Sequence, residues 1–93
     1  MEEVAWADRF IVWDRENERF FDEYQDAPRM FVRRLDAVRE TRRYIKEHNQ
    51  QITYAKMKGR TEPSSVWETP FRDMTEEDFD ILPCKVTVSI ERT

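Results

Sequence analysis

Hydrophobic and polar positions change period several times along this chain. From Ala5 to Asp14 apolar and aromatic residues dominate, and Phe10-Ile11-Val12-Trp13 is β-branched or aromatic with no helix-starting residue ahead of it. That composition predicts a strand. Arg15-Glu16-Asn17-Glu18 follows. With no glycine in that turn, Asn17 is the residue expected to adopt a left-handed conformation. Arg19-Phe20-Phe21 resumes the strand pattern, so residues 5–22 read as a β-hairpin. On the first strand Trp6, Phe10 and Val12 share one face while Ile11 and Trp13 share the other, and Phe20 and Phe21 divide in the same way.

A polar link from Asp22 ends at Ala27-Pro28, a dipeptide incompatible with helix, and Met30-Phe31-Val32 is a short extended apolar run. From Arg34 the period lengthens. Leu35, Val38, Ile45, Ile52 and Ala55 recur at spacings of three and seven, and Arg43 and Glu47 fall one turn apart. Gly59 is the only glycine, and it stands where a left-handed helix cap belongs, after Lys56 and Lys58 and before Pro63. One helix over 34–58 is the reading; a helix ending near Asn49, with a strand from Ile52, is the rival. Residues 60–74 form a loop that holds Val66, Trp67 and Phe71, and these call for packing. Thr75-Glu76-Glu77-Asp78 reads as an N-cap with acidic first-turn residues, a single helical turn ending near Phe79.

The clearest alternation is in the last segment, over 83–92. Pro83 is expected to start it, and Cys84, Val86, Val88 and Ile90 alternate with Lys85, Thr87, Ser89 and Glu91. The first set reads as a core face and the second as a wet one. The fold class is therefore α+β. A three-stranded antiparallel sheet, the N-terminal hairpin plus the C-terminal strand beside the first, packs on one long central helix as a single domain spanning 1–93.

Composition adds limits. Hydrophobic residues make up 39% and aromatics number twelve, too many for intrinsic disorder despite 39% charged residues. With one cysteine, no internal disulfide is possible, and a reducing cytoplasm is the expected setting. Met1-Glu2-Glu3 is acidic where a secretory signal is basic, and no apolar run approaches a membrane span, so no membrane partner is expected. The net charge of −4 conceals segregation. Residues 1–28 hold three basic and nine acidic side chains, 29–60 ten and three, and 61–93 three and eight.

That segregation bears on partners. Arg39, Arg42, Arg43 and Lys46 put a dense basic stretch on the helix, fit for phosphates or for an acidic protein patch, or for the acidic flanks of the chain itself. A pI near 5.1 disfavours nucleic acid as the main ligand. A single helix covers one face of the sheet, so the second apolar face is left to the 60–74 loop, to a twin subunit or to a partner. Trp13, Phe21 and Trp67 join the basic residues as candidate partner-binding positions. Catalysis has little footing: His48 and Cys84 are the only residues of their kinds and lie on different elements. Cys84 reads as a buried small hydrophobe and His48 as a boundary residue of the helix. The acidic run at Glu76-Glu77-Asp78 and Asp80 lacks the spacing of a calcium loop, and one glycine cannot build a phosphate loop. No enzyme activity, metal or cofactor is expected.

The order of "RFIVWDRENERFFDEY", "DAPRMFVRRLDAVRETRRYI" and "DFDILPCKVTVSIE" resembles small accessory proteins encoded by tailed bacteriophages. In those, an aromatic hairpin precedes a link, here Ala27 to Phe31, then a helix around Ala37 and a Val-rich strand, here Val86-Thr87-Val88. The chain departs from that pattern in carrying Asn17 where glycine is usual and in its arginine-rich helix. The resemblance implies a non-enzymatic protein of the infected cell's cytoplasm that binds a host complex, such as a defence or transcription complex. Nucleic-acid binding through the basic helix and a small homodimeric structural subunit are the alternatives.

Overall fold

A computed structural model of the chain describes residues 2–21 and 28–91, with side chains at 5–21, 28–65 and 67–87. Strand β1 (Glu2–Asp14) and strand β3 (Phe79–Glu91) pair antiparallel over thirteen residues each without a bulge. At ~3.4 Å per residue this ribbon is about 44 Å long. A two-residue strand β2 (Arg19–Phe20) pairs with the Asp14 end of β1, giving the order β2-β1-β3. Helix α1 (Arg34–Met57) packs on one face of that same end, as the α+β reading requires.

The molecule is correspondingly long, 62 Å against 24 and 18 Å, with a radius of gyration of 17.1 Å. A rounded chain of this length would have one near 12 Å. Its core sits at one end of the ribbon, where Val12, Phe31, Ala37, Met74 and Phe79 are buried with Phe10, Tyr44 and Ile81 against them. Beyond Phe10 the helix no longer covers the sheet: Trp6, Asp8, Lys85 and Thr87, all on the helix-side face, are exposed.

The helix runs through Asn49, which excludes the shorter alternative. Its end is fixed by Gly59 at φ 78°, with Gly59 N–H donating to Lys56 C=O and Arg60 N–H to Ala55 C=O. This is the paired-bond cap that a left-handed glycine permits. The buried stripe is Ala37, Thr41, His48, Ile52 and Ala55. Leu35, expected in it, is 51% exposed, because at 100° per residue it falls on the far side of the helix from the buried Ala37. Thr41 takes a core place by donating its hydroxyl to Ala37 C=O at 2.8 Å.

Two further expectations are corrected. The left-handed residue of the first turn is Glu18, φ 51°, not Asn17, whose side chain is held instead by Asp14 and by Thr69 C=O. The last strand begins at Phe79, four residues before Pro83, since the 3₁₀ turn Glu76–Asp78 delivers the chain directly into the sheet. The 60–74 loop, including a 3₁₀ turn at Val66–Glu68, is fastened to the helix. The proposed ends of the hairpin at Asp22 and of the last strand at 92, the link Asp22–Ala27, and Ala27 of the phage-like pattern lie outside the described residues.

Candidate partner-binding surface

The register of β1 decides which side chains face the helix. Phe10 N–H and C=O both bond to Phe31, each at 2.8 Å, and Val12 C=O accepts from Phe21 N–H at 2.8 Å. Even-numbered residues of β1 therefore turn their backbone groups away from β3. Pro83, opposite Phe10, occupies a pair with no bond to β1, so its missing N–H leaves no gap in the ladder. Val12 and Asp14 share the helix-side face with Phe79 and Ile81, their neighbours across the ladder.

The opposite face carries the other parity. Ile11 lies beside Leu82, Arg9 beside Cys84, Ala7 beside Val86, and Trp13 beside Phe20 with ring centroids 4.9 Å apart. The apolar set of the last strand thus looks away from the helix. Cys84, expected in the core, is half-buried on this outer face, because the strand enters the core through Phe79 and Ile81 instead. These side chains shield one another only in part: Leu82 is 41% exposed, and no described element lies over them. The loop that was one of three candidates to cover this face packs elsewhere.

Of the seven candidate positions, Trp13 belongs to this outer face. Phe21 lies on the helix side, edge-on to Tyr44 at 5.3 Å. Phe21, Trp67 and Arg43 come together with Tyr44 around a cavity of about 300 Å³, where Trp67 is exposed under the Arg19 guanidinium at 6.0 Å. Tyr44 Oη is buried there without a hydrogen-bond partner among the described residues. Arg39, Arg42 and Lys46 stand exposed on the helix. Arg42 pairs with Glu76 and Arg43 with Glu47. Among the described residues the acidic C-terminal third pairs with the helix at Arg42, through Glu76, and with the loop at Arg60 and Arg72, through Glu68 and Asp78.

Two polar side chains of the helix tie the irregular segments down. His48, 3% exposed, places Nδ1 3.1 Å from Trp67 C=O and Nε2 3.0 Å from both Pro70 C=O and Arg72 C=O. It is a fastening for the loop, not the boundary residue its sequence position implies. All three partners are carbonyl acceptors, so the ring bonds to them through N–H donation. Next to it Asn49 acts as a strand edge for Met74, donating to its C=O at 3.0 Å and accepting from its N–H at 2.7 Å.

Arg72 closes the surface at the sheet's end. It donates to Asp78 at 2.8 Å and reaches Glu16 at 3.4 Å. The Arg72 hydrogen bond holds the Asp78 carboxyl below its ordinary range; burial opposes this, and the Thr75 N–H assists it. Arg60 does the same for Glu68. A carboxyl lowered on folding stabilises the fold above its unfolded pKa, and that contribution disappears as pH falls through the folded value. Asp78→Asn is therefore expected to cost up to about 1 kcal/mol at neutral pH, Arg72 being half in solvent. Thermal melts of the two proteins from neutral to acidic pH should converge; a gap that widened on acidification would contradict this account.

The sequence pattern placed Ile11 with Trp13 on one face but missed Leu82, Cys84 and Val86 as their companions. The signal was present in the parity of the last strand, but no sequence rule says which parity meets the helix. No protein-family model, curated protein or solved structure matches this chain.

Proposed function

We propose that this protein is a non-enzymatic protein-binding module whose docking surface is the outer face of the β1–β3 sheet. The observation that carries the reading is the uncovered apolar strip Ile11, Trp13, Leu82, Cys84 and Val86, continuous along a ribbon that projects past its own core. A protein surface is the matching partner chemistry. Arg9 is the single cation of this strip in its described part and Asp80, paired with Arg15, its anion, so a phosphate-bearing surface finds little to hold. Among the described residues no helix is long and apolar enough to cross a membrane. The resemblance to tailed-phage accessory proteins makes a host defence or transcription complex the class of partner, met in the infected cell's cytoplasm.

The nucleic-acid alternative rests on Arg39 and Lys46, which have no ion pair among the described residues. One experiment separates the two. Ile11→Asp with Leu82→Asp, Arg39/Arg42/Arg43→Ala, and the unaltered chain are compared as baits for a host extract, with circular dichroism confirming each fold. A protein retained by the unaltered chain and by the arginine variant, but lost with the aspartates, is the expected result. Retention by the aspartate variant with loss from the arginine variant would sink the outer-face reading. Steep weakening with added salt, from nuclease-sensitive material, would establish the alternative.

A further inference from the structure

The two long edges of this sheet are not equivalent. On the β3 edge the outward-turned backbone groups belong to the odd-numbered residues, among which Pro83 offers no N–H and Lys85 follows it. Proline and lysine are the residues that blunt a strand edge against pairing. On the β1 edge, positions 10 to 14 are already occupied by Phe31, Phe21 and β2. Val4, Trp6 and Asp8 then turn their amides and carbonyls outward, and among the described residues no backbone group meets them. Neither proline nor lysine interrupts this run, and at its centre Trp6 is 68% exposed. The nearest stand-in for a neighbour is Arg9, whose Nη1 donates to Asp8 C=O at 2.7 Å.

We infer that the occupant of this edge is a second copy of the chain, with the two β1 strands antiparallel about a two-fold axis at Trp6. The boundary at Phe10 and the charges select that register. With Trp6 opposite Trp6, Val4 meets Asp8 twice and each Arg9 position lies opposite a Glu3, two opposite-charge cross-strand pairs on one face. Sliding one way by a hydrogen-bonding step sets Glu2 against Asp8, a like-charge pair; sliding the other way sets Val4 against Phe10, whose bonds are taken, and leaves two bondable pairs where the Trp6-centred register keeps three. Pairing converts the edge amides into ladder bonds and takes up the Asp8 C=O to which Arg9 now donates. Directly opposed residues share a face, so both helices lie on one side, at opposite ends, and the two apolar outer faces join into one. The outer face stays open, which makes this inference independent of the partner reading above.

The test uses sedimentation equilibrium across micromolar concentrations, with circular dichroism as the control for fold. The unaltered chain is expected to be a dimer. Trp6→Pro, which removes an amide that β3 does not use, should weaken association at least about tenfold, whereas Trp6→Phe should not. Arg9→Glu should weaken it about tenfold, and Arg9→Glu with Glu3→Arg should restore it to within about threefold. A nitroxide on Cys84 fixes the register. Three strand spacings and six residues of stagger put the two copies' Cys84 positions about 25 Å apart. A monomer at all concentrations, association unaffected by Trp6→Pro, or a dimer abolished by Ile11→Asp instead would each overturn the proposal. Loss of host-protein capture by Ile11→Asp with an intact dimer would leave both readings standing.

Discussion

His48→Ala is expected to lower the stability of this domain by about 3 kcal/mol, a large share of the roughly 5–14 kcal/mol available to a chain of this length. The ring is almost fully buried, and its two nitrogens lie 3.0–3.1 Å from three loop carbonyls, those of Trp67, Pro70 and Arg72. Truncation removes a packed ring stacked near Tyr44 and leaves those acceptors facing a cavity. The loss should appear as a lower urea midpoint with an unchanged denaturant slope. His48→Phe, which keeps the ring's bulk, should recover little, because the hydrogen bonds dominate. A loss under about 1 kcal/mol for alanine would mean that the loop is not tied to the helix through this ring.

The second large effect is Asp14→Ala, expected to cost about 2 kcal/mol. Asp14 ends β1 and is 2% exposed. Its oxygens accept from Glu16 N–H and Asn17 N–H, each at 3.1 Å, and from Asn17 Nδ2 at 2.8 Å; the same Nδ2 donates to Thr69 C=O at 3.1 Å. One carboxylate thus closes the first turn and, through Asn17, joins it to the loop that His48 holds. Because both residues serve one network, Asp14→Ala and Asn17→Ala should be strongly non-additive, with a coupling of about 1 kcal/mol in a double-mutant cycle. Additive losses would show that Asp14 acts on the turn alone.

Much of the frame was legible from local chemistry. The helix limits followed from Gly59 and the basic last turn, since a left-handed cap is a property of neighbouring residues. The Thr75 capping box and the division of Phe20 from Phe21 were legible for the same reason. What could not be read was decided between distant segments. Thr41 and His48 are polar residues in a buried stripe because Ala37 C=O and three loop carbonyls satisfy them. Nothing within a turn of either residue announces those partners. Cys84 shows the same limit in the sheet. The alternation around it was plain, but the choice of which set meets the core belonged to Phe79 and Ile81 at the strand's other end.

The pairing of β1 with β3 has a consequence for how the chain acquires this structure. Its partners are 65 residues apart at Asp14 and Phe79, and 89 apart at Glu2 and Glu91. Non-local pairings of this kind slow folding, because a long loop must close before any ladder bond rewards it. Helix α1, built from local contacts, can form while β1 still waits. During synthesis β1 emerges ahead of α1 and stays without its neighbour until β3 appears. Throughout that interval Trp6, Phe10, Ile11 and Trp13 stand on an unpaired strand, the condition in which nascent chains are most open to aggregation and to chaperones.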